Sequence, residues 1–325
     1  MVTISTRTTA SVLLVSACLT FAPAFAQVYP AKPIRILVGF SPGGGVDLIA
    51  RIIGSKLTET MGKQVIVENR PGAAGNIAAE IAAKSPPDGY NLLLAAVAIA
   101  ISQPLYSQPG YNLERDFSPV IELASVPDVV VVHPSLPVKS LRDLVALARS
   151  KPGQLSYSSG GIGSPEHMLG EMLNLTAKLN LVHVPYKGGA LAVADLVAGH
   201  VAVSFNTLPA AMPHIKTGRL RILAVTDNRR STALPDVPTS EEAGVPGLEL
   251  TTWYGVVLQK GTPQDIVARL NSEINRILRM ADVRERFAGL GAEIVGGTPE
   301  HFGALIATEV AKFEKVIKAG NIRAE

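Results

Sequence analysis

Four short glycine-rich stretches are the residues of this chain best suited to chemistry: Ser41-Pro42-Gly43-Gly44-Gly45, Gly72-Ala73-Ala74-Gly75, Ser159-Gly160-Gly161-Ile162-Gly163-Ser164 and the pair Gly188-Gly189. Each follows an apolar, β-rich run and precedes apolar residues at helical spacing. Such a junction presents unpaired backbone N–H groups and the positive end of a helix dipole. Glycine removes the Cβ that would hold a ligand away from them. The chemistry is the capture of a small anion. One junction alone also reads as a tight βα turn; four, two in each half of the chain, point to a shared anion-binding cleft.

The polar side chains near these stretches have two readings each. Ser158, Ser159 and Ser164 add hydroxyls to the cleft or cap a helix. Asn206 donates its amide to a carboxylate or serves as a turn residue. Asp47 touches ligand or braces the triple-glycine loop and complements the helix dipole. His167 touches ligand or caps and packs. Lys187 and Arg70 are the cations of these loops and meet an anion or stay at the surface. Trp253, the only tryptophan, either lines the cleft floor or packs beneath it.

Enzyme motifs fail one by one. G-x-S-x-G, H-E-x-x-H, paired-cysteine metal sites and G-x-x-x-x-G-K-[ST] are absent from the sequence, and Leu48 stands where G-x-G-x-x-G needs its last glycine. The expectation is a binding protein with no catalytic residues, no metal and no cofactor. An exported α/β hydrolase is the remaining enzymatic alternative. Thirty basic and twenty-seven acidic residues are interspersed, for a formal charge of +3, without the basic block that nucleic acid requires.

The elements that position these residues alternate. Strands are expected at 33–40, 64–68, 91–95, 129–133, 155–158, 181–184, 201–205 and 221–225. Helices are expected at 46–61, 77–83, 141–148, 165–175 and 190–198. The stretch 92–101 reads as a buried strand and its loop. Alternation predicts α/β architecture with largely parallel sheets, repeated in two similar lobes. Extended segments 120–126 and 248–257 are candidate crossovers. Two C-terminal helices follow Thr262-Pro263 and Thr298-Pro299, each read as an N-cap and a proline at the first helical position.

Residues 1–26 read as a signal peptide: Arg7, an apolar run 10–19, then Ala24-Phe25-Ala26 before Gln27. Removing 26 of 325 residues leaves 299, which suits two lobes: 27–125 plus 250–325, and 126–249. Val15-Ser16-Ala17-Cys18 loosely matches a lipidation site, but the following 19–26 segment is apolar. Cys18 is the only cysteine, so the mature chain has no disulfide or Cys–metal site.

Several stretches together resemble the Bug-type (TctC-like) extracytoplasmic receptors of tripartite tricarboxylate transporters: YPAKPIRILVGFSPGGGVDLIAR, VIVENRPGAAGNIAAE, PPDGYNLLL, the Tyr157–Gly163 loop, VHVPYKGG, GRLRILAVT, LPDVPTSEEAG and GTPQDIVARLNSEINRIL. The resemblance covers nearly all of the chain after residue 26. It implies a two-lobed type II periplasmic-binding fold with two crossover segments, closing on a small organic carboxylate. It also implies a periplasmic monomer that delivers its ligand to a large and a small membrane subunit, or presents it to a sensor. The ligand-holding residues it implies are Phe40, Ser41, Gly43, Gly44 and Gly45; Ala73, Ala74 and Asn76; Ser158, Ser159, Gly163 and Ser164; and Tyr186, Lys187 and Gly188. Two departures stand out. Phe205-Asn206-Thr207 replaces a frequent Phe-Asp-Asn, which disfavours a ligand amine there. Pro165-Glu166-His167 replaces small-Ser-His. Glu166 would repel a second ligand carboxylate if it faced the cleft, and is expected instead in the first helical turn, exposed.

Overall fold

The computed structural model describes residues 29–186 and 188–324. The processing signals at Cys18 and Ala26, and Lys187, lie outside the described residues. The IRILV run forms β1 (Ile34–Val38), leading through the triple glycine into α1 (Gly45–Met61). Then follow β2 (Val65–Asn69), a 3-10 turn at Ala73–Gly75, α2 (Asn76–Ala83), β3 (Asn91–Ala96), α3 (Val97–Leu105) and a single turn, α4 (Leu113–Asp116). β4 (Phe117–Val132) leads to α5 (Leu141–Ser150), β5 (Ser156–Ser159), α6 (Pro165–Ala177), β6 (Val182–Pro185), α7 (Gly189–Val197), β7 (Val203–Thr207), α8 (Leu208–Lys216) and β8 (Arg221–Val225). The chain ends with β9 (Thr251–Gln259), α9 (Gln264–Leu278), α10 (Ala281–Gly289), β10 (Glu293–Ile294) and α11 (Pro299–Gly320).

β1 pairs in parallel with β2 and β3, and β5 pairs in parallel with β6 and β7. The expected strand–helix alternation therefore holds within each half. The sheets as wholes are mixed, not largely parallel. β9 runs antiparallel to β3 and β4, and β4 runs antiparallel to β7 and β8. The reason is connectivity: a chain that leaves one sheet and returns must cross the join in both directions. The two expected segments 120–126 and 129–133 are one 16-residue strand. Its Phe117–Pro127 part lies against β9 and its Asp128–Val132 part against β7.

Four helices were unforeseen, the single turn α4 among them. Residues 97–105 continue the apolar run after β3 as α3, not as a loop; a continuous apolar stretch has no periodicity to separate strand from helix. α8 carries prolines at 209 and 213, which hide a helix from propensity reasoning. α10 adds a third C-terminal helix. α9 also starts one residue late. Pro263 is its N-cap, and the Thr262 hydroxyl donates to the Gln259 carbonyl instead (2.8 Å). Val267, Leu270, Ile274 and Ile277 of α9 are buried, and each such side chain contributes roughly 1.5–3 kcal/mol relative to exposure. α11 buries Phe302, Ile306, Phe313 and Ile317 and packs on α3, β4 and α6. One apolar cluster consequently runs from Leu37 and Leu93 in the first sheet to Val203 and Leu223 in the second.

Candidate functional site

The glycine-rich loops lie at the carboxyl ends of the parallel strands, where open α/β sheets bind ligands. The loop after β1 and the turn after β2 are in direct contact. A Cβ on Gly39 would fall 2.5 Å from the Gly75 Cα, so only glycine permits this approach. The turn itself is unusual: Ala73 (φ 46°) and Ala74 (φ 54°) both adopt left-handed conformations. Such strain concentrates at functional sites. A Cβ on Gly163 would lie 3.0 Å from Leu105 Cδ2 and 4.0 Å from Ala74 Cβ. The loop after β5 therefore faces the turn after β2 across the join.

The first sheet supplies the unoccupied donors. α1, α2 and α3 have Gly44, Gly75 and Ala96 as N-caps with no side-chain cap; the Asn76 N–H that opens α2 donates to the Ala73 carbonyl, and the other first-turn N–H groups have no capping side chain. Ser41 and Gly43–Gly45 are exposed, and Phe40 is half-buried with its ring over Gly75. Asp47 is 1 % exposed and braces the loop. Its Oδ2 accepts from Gly43 N–H and Arg51 Nε (2.9 Å each) and its Oδ1 from Asn69 Nδ2 (2.8 Å). Burial opposes its charge, but these donors win and hold its carboxyl below the usual value. Asn76 is buried, with Oδ1 accepting from Tyr111 Oη (2.7 Å). Arg70 is exposed and paired with Glu68.

The loop after β5 is different, because its donors are largely used internally. Gly161 N–H donates to Ser159 Oγ (3.1 Å) and Gly163 N–H to His167 Nδ1 (3.2 Å). Ser164 caps α6 by accepting from His167 N–H (3.2 Å). Ser158 is buried, its hydroxyl donating to Ser204 Oγ (2.8 Å). His167 stacks on His183 at 4.1 Å, and His183 on Tyr157 at 4.9 Å. Desolvation first, then His183, pushes His167 down to about 3; desolvation pushes His183 down to about 4. Both rings are neutral packing elements. The Tyr186 hydroxyl donates to Asp195 Oδ2 (2.6 Å), which together with burial raises it to about 12. Gly188 donates its N–H to the Gly160 carbonyl (3.1 Å) and leaves α7 without a side-chain cap.

Two side chains differ from expectation. Asn206 is neither in a turn nor open to a ligand. It lies inside β7 opposite Val129, 1 % exposed, with Nδ2 donating to Ser204 Oγ (2.7 Å). Glu166 does occupy the first turn of α6 but is half-buried, not exposed. Its Oε2 is 3.3 Å from where Gly160 would carry a Cβ. Desolvation raises its pKa, opposed by the Ser164 hydroxyl and the N–H groups of Glu166 itself and Gly160.

Sequence reasoning missed Tyr254 and Asp128. Successive residues of β9 face opposite ways. Trp253 packs edge-on against Phe302 of α11 (5.4 Å, 82°), whereas Tyr254 brings its hydroxyl within 3.2 Å of the Cβ position of Gly45. That alternation in TTWYGVVLQ was the available signal. Asp128 is fully buried where β4 changes partner, its Oδ2 accepting from Thr252 N–H (3.1 Å) and Oγ1 (2.8 Å). A separate cavity of about 560 Å³ is lined by Glu122, Trp253, His301, Glu309 and Lys312. It lies on the α11 side of the crossover strands, away from the glycine-rich loops.

Paired α/β sheets joined by long crossover strands, with glycine-rich loops meeting at the join, define the fold of the periplasmic binding proteins. The chain belongs to the tripartite tricarboxylate transporter receptor family, whose model matches residues 49–322. It is 38 % identical to the protein BugT of Bordetella pertussis over 91 % of this chain and 92 % of that one. Among solved structures it is similar to Rpa4515 of R. palustris with adipate (37 % identity, TM-score 0.84, covering 91 % and 99 % of the two chains). It is also similar to MatC from Rhodopseudomonas palustris with bound malate (30 % identity, TM-score 0.81, covering 89 % and 100 %). The family is described as a receptor family, and the two solved relatives hold small carboxylates.

Proposed function

We propose that this protein is a periplasmic receptor that captures a small organic carboxylate between two lobes and delivers it to the membrane subunits of a tripartite transporter. The lobes comprise 27–125 with 250–325, and 126–249, joined through β4 and β9. The observation that carries the reading is the set of uncapped helix N-termini beside the strained Ala73-Ala74 turn. Oriented N–H groups there stabilise an anion without a counter-charge. Adipate and malate in the solved relatives support the ligand class. Gly43–Gly45 and Ala73–Asn76 hold the carboxylate; the loop 158–164 and Tyr186–Gly188 close over it.

A thermal-shift screen over organic acids tests this. A ligand at a hundred times its Kd stabilises by about 2.7 kcal/mol, so at least one acid should raise Tm by several degrees. A screen in which no carboxylate acts, while neutral sugars or amines do, contradicts the reading.

A further inference from the structure

The separate cavity lies behind the crossover strands, where α11 meets β4, the start of β9 and the segment after β8. Its volume, about 560 Å³, falls in the range of small-molecule sites. Four carboxyl groups line it: Glu122 of β4, Asp227, Glu249 and Glu309 of α11. Two permanent cations stand among them, Arg229 and Lys312. Arg229 is drawn off to Glu293 of β10, and Lys312 is held by Glu309 Oε1 (3.1 Å). His301 Nε2 stands 3.5 Å from Glu122 Oε2. Among the described residues, Asp227 and Glu249 have no cation within ion-pair distance. The cavity is therefore short of positive charge.

Two buried side chains of its wall are also unmatched. Glu309 is 8 % exposed, and its Oε2 has no hydrogen-bond partner. Trp253 is 2 % exposed, and its Nε1–H donates to nothing. Buried polar atoms are costly without partners, so one unfilled acceptor and one unfilled donor favour an occupant that supplies both. Burial pushes the Glu122 carboxyl up, and His301 opposes that; a further positive group would oppose it too. Among the described residues no group of three His, Cys, Asp or Glu side chains is placed to hold a metal ion, and the volume is that of an organic molecule.

We propose that this cavity is a second binding site, for a small organic amine that also carries a hydroxyl or carbonyl oxygen. The ammonium donates to the carboxylates of Glu309, Glu249 and Asp227, in charge-assisted hydrogen bonds. The oxygen accepts from the Trp253 indole N–H. The site is separate from the carboxylate cleft and does not depend on that reading.

The test combines calorimetry with titration of Trp253 emission, the signal of the only tryptophan in the chain. The probes are size-matched pairs at neutral pH: ethanolamine and ethylene glycol, glucosamine and glucose, lysine amide and hexanamide. At least one amine should change the emission saturably and bind at least tenfold tighter than its neutral counterpart. Glu309→Gln, whose amide oxygen keeps an acceptor for Lys312, should weaken that amine tenfold or more. Glu249→Gln, at an exposed position, should weaken it about threefold and serves if Glu309→Gln fails to fold. No heat and no emission change with any of the amines overturns the inference, as does a neutral counterpart that binds equally well. Calorimetric binding that leaves the emission unchanged, or that neither variant weakens, places the amine elsewhere and overturns it too. The carboxylate reading stands apart from all of these outcomes.

Discussion

Asp47 accepts three hydrogen bonds while almost fully buried, and it shows what a first-turn acid does beside a glycine loop. Asp47→Ala removes the acceptor of the Gly43 N–H and of Arg51, and one of the two acceptors of the Asn69 amide, which keeps the Phe40 carbonyl. It should cost about 1–2 kcal/mol in chemical denaturation, at the scale of lost hydrogen bonds to a charged group, and should loosen the loop enough to weaken ligand binding. Because its pKa is lowered on folding, its contribution is present above the ordinary carboxylate value of about 3.9 and lost as the pH falls below it. The two stacked histidines act at higher pH. Unfolded imidazoles take up protons below about 6.5; His167 and His183 in the fold resist until about 3 and about 4. Stability should therefore decline as the pH drops from about 6.5 towards 4, and replacing both by Gln should flatten that slope in urea titrations. Imidazole resonances of either residue titrating near 6.5 would contradict the stacking account. Asn206→Asp, which the sequence suggests as a probe of ligand charge, should instead read out as lost stability, since the new charge is buried inside β7.

The turn after β2 and the loop after β1 work as one element because Gly39 lets them touch. Gly39→Ala forces its Cβ to within 2.5 Å of backbone, and no side-chain rotation relieves that. It should cost about 1–3 kcal/mol, the usual range for overpacking, and lower ligand affinity by tenfold or more in calorimetry. An alanine variant that binds normally would uncouple the two loops. In β9, Trp253 belongs to the α11 side. Trp253→Ala should cost about 3–5 kcal/mol as a large aromatic removed from a core. Trp253→Phe should leave ligand affinity within tenfold, since the ring faces away from the loops. The strand–loop–helix units were legible because period-2 and period-3.6 patterns change over at glycine. α3 was hidden in an unbroken apolar run, and α8 behind its two prolines. The glycine-rich loops at the strand ends were legible from composition alone. The burial of Asp128 against Thr252 and the approach of Tyr254 to Gly45 were not, because they depend on which strands meet at the join.

At the scale of the whole molecule, the two sheets share β4, and one apolar cluster passes through both, stitched by α11. Sequence pattern could announce two similar halves but not this shared core, since the antiparallel return of β4 and β9 is a property of the assembled topology. The halves should therefore unfold together. Denaturation followed by far-ultraviolet circular dichroism and by Trp253 emission should give coincident transitions, whereas separate midpoints would mean two independently stable lobes. The central claim is that an anionic carboxylate is recognised by backbone N–H groups at helix starts. The most direct measurement compares, by calorimetry, an acid identified in the thermal-shift screen with its own primary amide, which keeps size and shape but removes the charge. The amide should bind at least a hundredfold more weakly, about 2.7 kcal/mol. Equal affinities for acid and amide would mean that the cleft does not select a carboxylate.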